Sequence, residues 1–360
     1  MKKNYILLMF IISLFGCKEQ KNKGLVVEFK DEFVLQDSLA YKNTIVGGLS
    51  GIDYDGTNFY FVIDDSQNPR ILKSVITFNE DTIQKIDFVD LIELKDSSEF
   101  YKEQALDLES LVFNAKEKEF HLVSEGSIKK GKEPSVFAIN EGGEFISSFE
   151  IPEYFKSASR HNASFEGSCR SIDNTGMWVA MEGVLKVDGE EPSLTETLSP
   201  VRITLFNDGE KKATKQYVYM LDKVEKPKKG TINLNGLTAI LEYKKNTFLV
   251  VERAYQSGYG SYGNTVKLYK ATVEDKTTNT LAFETLSNRT YIPLKKELLL
   301  NFNTIKPNLT KGIIDNIEGI TLGPKLSNGN SSLILISDDN FQLYDTQINQ
   351  FIVLEIKEKN

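Results

Sequence analysis

Three observations predict an all-β fold for this chain, a β-propeller of five or six four-stranded blades closed by its N- and C-terminal strands. First, one hairpin pattern recurs five times: an acidic or polar doublet, an apolar strand, a turn, and a second apolar strand ending in an acid. Second, the copies start at Ser50, Glu109, Glu166, Asn235 and Glu318, which lie 59, 57, 69 and 83 residues apart, and each interval holds about four strands. Third, the amphipathic helices of about ten residues that a doubly wound α/β fold requires between strands are absent. A two-sheet sandwich is the alternative; strands returning at a blade-sized period along nearly the whole chain favour a closed ring.

Taken in order, the chain begins with Met1-Lys2-Lys3 and an apolar run from Tyr5 to Phe15, of signal-peptide length and too short to span a membrane as a permanent helix. It ends Leu14-Phe15-Gly16-Cys17, which resembles the bacterial lipobox. The expectation is a lipoprotein signal over 1–16, lipidation at Cys17, and a charged tether over 17–24; an ordinary secretory signal is the alternative. The resulting protein would face the periplasm or exterior, held at the bacterial cell envelope by its N-terminal lipid alone. Removing 1–16 takes away Lys2 and Lys3 and moves the formal charge from −8 to −10. Cys169 is then the only thiol. No disulfide framework is expected, and Cys169 reads as a small buried strand residue.

The propeller is expected over 25–358. Leu25 to Leu35 reads as one strand or a strand pair, placed beside Phe341 to Ile356 to close the ring. Turn formers separate the paired strands of each hairpin, as at Asp55-Gly56, Asn174-Thr175-Gly176 and Asn328-Gly329. Further strands are expected at 71–78, 135–139, 145–151, 201–206, 216–221, 266–273 and 351–356. Short helices are expected within 97–108, 152–159 and 294–302, and 280–307 is long enough for a degenerate sixth blade. The Gly- and Tyr-rich segment 256–264 reads as a surface loop or as a lid over the rim.

In a hairpin, the first residue of strand one and the last of strand two share a sheet edge. Glu166 should therefore neighbour Glu182, Glu109 should neighbour Glu125, and Glu318 should neighbour Asp338. A closed ring would gather Glu109, Glu166, Glu182, Glu252, Glu318, Asp338 and Asp339 on one rim. A glutamate beside glycine can equally serve to cap a strand, so each acid also has an architectural reading.

Gly47-Gly48-Leu49-Ser50-Gly51-Ile52-Asp53-Tyr54, Arg160-His161-Asn162-Ala163-Ser164-Phe165-Glu166-Gly167, Val251-Glu252-Arg253, Asp315-Asn316-Ile317-Glu318-Gly319 and Ser337-Asp338-Asp339-Asn340-Phe341 resemble the phytase-like (esterase-like phytase domain) family of exported bacterial proteins. The resemblance covers about residues 43–345 and implies kinship of fold with calcium-dependent β-propeller phytases. The first hairpin departs from the family's Asp-Arg pair: it reads Asp64-Asp65-Ser66, with Arg70 four residues on.

Packed carboxylates repel one another unless a cation or arginines intervene. A hard oxygen-liganded ion such as Ca²⁺ would suit Glu109, Glu252, Glu318, Asp338 and Asp339. Arg160, Arg253 and Arg70 would hold an anionic small-molecule ligand. Glu166 or Glu182 would act as base in hydrolysis of a phosphoester or other ester, with His161 a further catalytic candidate. A non-catalytic propeller binding a ligand or protein on the same face is the rival reading, and a purely structural surface protein a third. A net charge of −8 and a pI of about 5.2 argue against nucleic-acid binding. There is no Gly-x-Ser-x-Gly elbow and no phosphate-cradling glycine loop, and the two histidines, His121 and His161, give little support to a zinc or Ser-His centre. Asp53-Tyr54-Asp55-Gly56 lacks the later ligands of an EF-hand and reads as a turn.

Overall fold

The computed structural model describes residues 24–94, 98–343 and 346–358; the expected signal, Cys17 and nearly all of the tether lie outside them. Five four-stranded antiparallel sheets form the blades. Their inner strands are Leu49–Tyr54, Leu108–Asn114, Phe165–Arg170, Asn233–Lys244 and Asn316–Lys325. Each inner strand packs against the next, and the fifth against the first, so the ring is continuous. The fifth blade takes its outermost strand, Leu25–Val34, from the N-terminus, paired antiparallel with Gln350–Glu358.

One expectation is narrowed and one changes. There are five blades among the described residues, not six. The segment after Thr272 has no blade of its own; it lies along the outer strand of blade 3, where Thr280 N–H donates to Gln216 O (3.0 Å) and Leu294 N–H to Val218 O (2.8 Å). Arg202 fastens this cover. Buried in blade 3, it grips Asp188 with two bonds of 2.6 and 2.7 Å and donates to the carbonyl of Phe283 at 2.8 Å. An edge strand that would otherwise present open amides is thereby covered. The helix expected within 294–302 is instead the strand Lys295–Asn301, the fourth of blade 4, because pairing with Asn264–Thr272 outweighs its helix-compatible spacing. The other two short helices are present, as Glu99–Glu103 and Glu153–Ala158.

The apolar core is a set of wedges between blades. Ile52, Phe61 and Phe351 belong to the wedge between blades 5 and 1, Leu111 and Phe137 to that between 1 and 2, and Ile317 and Leu335 to that between 4 and 5. A larger cluster spans blades 2, 3 and 4 around Phe165, Trp178 and Phe248. Alternate residues of each strand point to opposite neighbours, so both faces of every sheet are buried.

One irregularity repeats in every blade and positions the site. The pairing of inner with second strand slips between Leu49 and Gly51, Leu108 and Ser110, Phe165 and Ser168, Leu237 and Ala239, and Ile317 and Gly319. Each slip is a β-bulge, which turns one side chain out of the sheet. The turned residues are Ser50, Glu109, Glu166, Thr238 and Glu318. The residue after each is small, for close approach of the next blade. A Cβ on Gly167 would lie 2.7 Å from Ala239 Cα, and one on Gly51 2.9 Å from Ser110 Cα.

Candidate functional site

The bulges superimpose the blades residue by residue. Ser50, Glu109, Glu166, Thr238 and Glu318 form one tier at the start of the inner strands. Asp64, Glu125, Glu182, Arg253 and Asp338 form a second tier at the end of the second strands. In blades 1 and 4 the bulge residue is a hydroxyl that ties its blade to the next: Ser50 Oγ donates to Leu108 O (2.9 Å) and Thr238 Oγ1 to Ile317 O (2.7 Å). In blades 2, 3 and 5 it is a glutamate. Together with Asp107, just ahead of the blade 2 inner strand, the two tiers place eight carboxyl groups in one cup: Asp64, Asp107, Glu109, Glu125, Glu166, Glu182, Glu318 and Asp338.

Arg253 is the one basic member of either tier. Its Nη2 lies 3.1 Å from Glu318 Oε1 and 3.5 Å from Glu182 Oε1. Among the described residues its Nη1 makes no hydrogen bond, and its Nε is buried without a partner. Glu318 also accepts from Asn316 Nδ2 at 2.8 Å, and Asp338 from the Asn340 amide at 2.7 Å. Glu109 and Glu166 make no hydrogen bond among the described residues. The electrostatics follow from this imbalance. Burial, then repulsion from Asp338 and Asp107, lifts Asp64 to about 8. Burial and the neighbouring Glu182 lift Glu125 to about 8. Glu318 rises to about 8 through burial despite the opposing pull of Arg253. Glu109, Glu166 and Asp338 are driven well above the ordinary carboxyl range by burial and then by Glu166, Glu182 and Glu318 respectively. Burial also raises Glu182, against Arg253. Asp64 faces Asp107, whose charge adds to the burial that lifts it.

This chemistry suits a hard divalent cation. Oxygens of Asp64, Asp107 and Glu109 all lie within 4.8 Å of one another, close enough for one ion to be held by all three.

Of the residues singled out from the sequence, Glu109, Glu166, Glu182, Glu318, Asp338 and Arg253 meet in the cup. The others do not. Glu252 projects to the opposite face from Arg253, into the seam with blade 3. There it accepts from Tyr219 Oη (2.7 Å), Asn235 Nδ2 (2.8 Å), the Asp222 amide (3.1 Å) and Lys296 Nζ. Asp339 is consumed by backbone capping: Gly48 N–H (2.8 Å), Phe341 N–H (3.2 Å) and Asn349 Nδ2 (2.9 Å) all donate to it. Arg70 is buried and spent on Asp65 (2.8 Å) and the carbonyls of Asn68 and Ile45. Arg160 donates to Val184 O at 2.9 Å and faces Glu191 at 3.4 Å. His161 is exposed and makes no hydrogen bond or ion pair. Cys169 is buried beneath the Glu242 amide, and burial pushes its thiol up, away from reactivity.

Three members of the cup escaped the list of site residues. Asp64 and Glu125 occupy the same repeat position as Glu182 and Asp338, so aligning the repeats by their second strands would have found them. Asp107 precedes the repeat and carries no such signal. The 256–264 loop is tied down on both sides: Tyr259 Oη donates to Pro227 O (2.7 Å), Ser261 Oγ to Thr346 O (2.7 Å), and Lys226 Nζ to the carbonyls of Tyr262, Gly263 and Asn264 at 2.6–3.2 Å.

Among solved structures, the chain is similar to the exo-β-1,3-galactanase 1,3Gal43A of Clostridium thermocellum (9% identity, 90% of this chain and 62% of that one, TM-score 0.47). It is also similar to the catalytic domain of the GH62 α-L-arabinofuranosidase of Coprinopsis cinerea (9% identity, 91% and 97%, TM-score 0.42). A third is an endo-1,4-β-xylanase of Bacteroides thetaiotaomicron (8% identity, 85% and 90%, TM-score 0.42). At these values the likeness bears on neither substrate nor chemistry. No curated protein matches the chain. The family model described as phytase-like, esterase-like activity of phytase, matches residues 44–341, which contain every residue of the acid cup. The chain belongs to the phytase-like family.

Proposed function

We propose that the protein is a metal-dependent hydrolase of a phosphoester or other ester, working in the cup with Ca²⁺ as its ion. The observation that carries this reading is eight carboxyl groups facing one guanidinium, an imbalance that favours a divalent cation. Asp64, Asp107 and Glu109 would hold it. When bound, the ion would neutralise the carboxylates and polarise an ester oxygen. Arg253, with Nη1 free, would receive the anionic group. Glu166 is the base of choice: it makes no hydrogen bond or ion pair among the described residues, and a bound ion that relieved the repulsion keeping it protonated would leave it open to take a proton from an attacking water. Glu182 is the second choice, because Arg253 already leans on it.

The test is turnover of phosphomonoesters and of carboxylic esters by the purified protein, with calcium and with chelator. Chelator-sensitive hydrolysis of either class supports the proposal. Tight calcium binding without turnover of either would leave a ligand-binding propeller.

The sequence also supports export and lipidation at Cys17, with attachment to the cell envelope through that lipid. No helix among the described residues is long and apolar enough to cross a membrane.

A further inference from the structure

The rim of the cup is uneven. In blades 1, 2 and 3 the second strand stops one residue before the carboxylate of the second tier, at Ile63, Ser124 and Met181. In blade 4 it runs on past Arg253 to Gln256, paired with an inner strand that starts at Asn233. Three extra residues at strand rise lift this hairpin about 10 Å above the ring.

The two faces of the raised hairpin differ. Directly opposed residues of an antiparallel pair project to one side, and residues two apart share it. Asn235, Asn233 and Gln256 therefore lie on one face. That face is covered by the Asp222–Lys229 segment, with Asn235 Nδ2 donating to Asp222 O (2.8 Å) and Gln256 Nε2 to Lys226 O (2.8 Å). The other face carries the pair Gly236 and Arg253, then the pair Leu234 and Tyr255 one rung higher, with no register slip between them. Among the described residues nothing comparable closes over this surface, and the Tyr255 hydroxyl makes no hydrogen bond; Leu234 is 50% exposed and Ile232 beyond it 45% exposed. The Tyr255 ring is held from one side by the backbone at Gly263, where a Cβ would stand 2.8 Å from the ring.

An anion-binding guanidinium thus sits at the foot of an apolar, partly aromatic shelf on the same strand pair. Resting on the hydrolase reading above, we infer that Leu234 and Tyr255 determine specificity. The ligand is a phosphate ester, its charged head on Arg253 and the ion, whose alcohol portion is apolar and about the size of an aromatic ring. A substrate charged along its whole length would set a second anionic group against Leu234 and lose its hydration there without compensation. An aryl or branched alkyl group would exchange water for Leu234 and the Tyr255 face.

The experiment is calorimetric titration of the calcium-loaded protein with phenylphosphonate and with methylphosphonate, which share a head group and cannot be hydrolysed as esters. Phenylphosphonate is expected to bind about tenfold more tightly, the gain from covering one ring on a half-open shelf. Leu234→Asp should reduce the ratio to about one while changing methylphosphonate affinity by less than about twofold. Leu234→Ser provides the same reading should the charge unsettle the hairpin, and Tyr255→Ala should weaken the preference in the same direction. Equal affinities in the unmodified protein, or a preference that survives both Leu234 variants, would overturn the inference alone. Failure of both phosphonates to bind would overturn the anion site itself, and the shelf's role with it.

Discussion

Raising the pH of the calcium-free protein should destabilise it, and calcium should abolish the effect. Asp64, Glu125 and Glu318 titrate at about 8 in the folded chain, against about 4 when unfolded. A carboxyl whose folded pKa is raised keeps its proton where the unfolded chain has lost it, so its contribution to stability falls as pH climbs towards the folded value. Each such proton corresponds to a slope of about −1.4 kcal/mol per pH unit, and three set a ceiling of about −4. Mutual repulsion spreads the titration and brings the observable slope nearer to about −1 to −2. Buried His121 acts in the opposite sense, because burial lowers it to about 4; that contribution is complete above about pH 6.5, where the unfolded imidazole has also lost its proton. The informative window is therefore about pH 6.5 to about pH 8.5. Urea denaturation in chelator across this window should give a free energy that declines with pH, by an amount comparable to a good part of a domain's stability. With millimolar calcium the ion replaces the protons, the slope flattens, and the stabilisation by calcium grows with pH. A flat or rising free energy in chelator would refute the crowded-carboxylate account of the cup.

Five further variants have stated outcomes. Arg253→Met strips the cup of its guanidinium and should lower stability in chelator by about 3 kcal/mol at neutral pH, with calcium restoring most of it in a thermal melt. Glu166→Gln should abolish ester turnover with little change in unfolding midpoint, whereas Glu252→Gln should leave turnover within about twofold yet cost about 2 kcal/mol, because it unpicks a buried network. Gly167→Val forces a side chain into Ala239 and should destabilise by at least about 3 kcal/mol, read from the urea midpoint. Cys17→Ser should release the protein from the membrane fraction and eliminate labelling by a radioactive fatty acid.

The ring was legible in the sequence because a hairpin with a polar doublet ahead of it repeats at blade spacing, and the pairing of Leu25–Val34 with the last strand followed from that strand needing a partner. What blurred the site was register. Reading Glu252 as the blade 4 counterpart of Glu182 is an error of one residue, and a strand alternates faces at every residue, so the slip moved an acid from a seam into the cup. The five bulges that set true equivalence leave no mark in composition, since their turned residues are serine, glutamate, glutamate, threonine and glutamate. Asp339 looked like a ligand because the sequence does not reveal how many amides turn towards it. The missing sixth blade has a similar cause: the stretch after Thr272 is long enough for strands, and only the grip of Arg202 on Asp188 and the Phe283 carbonyl shows that it serves as cover.

The direction of the first strand has a bearing on orientation. Leu25 is opposite Glu358 and Val34 opposite Gln350, so this strand enters the fifth blade at the end remote from Asp338 and climbs towards it. Gly24 therefore sits at the underside of the ring, with the whole depth of the fifth blade between it and the carboxylates, so the mouth of the cup stays clear of the first described residues.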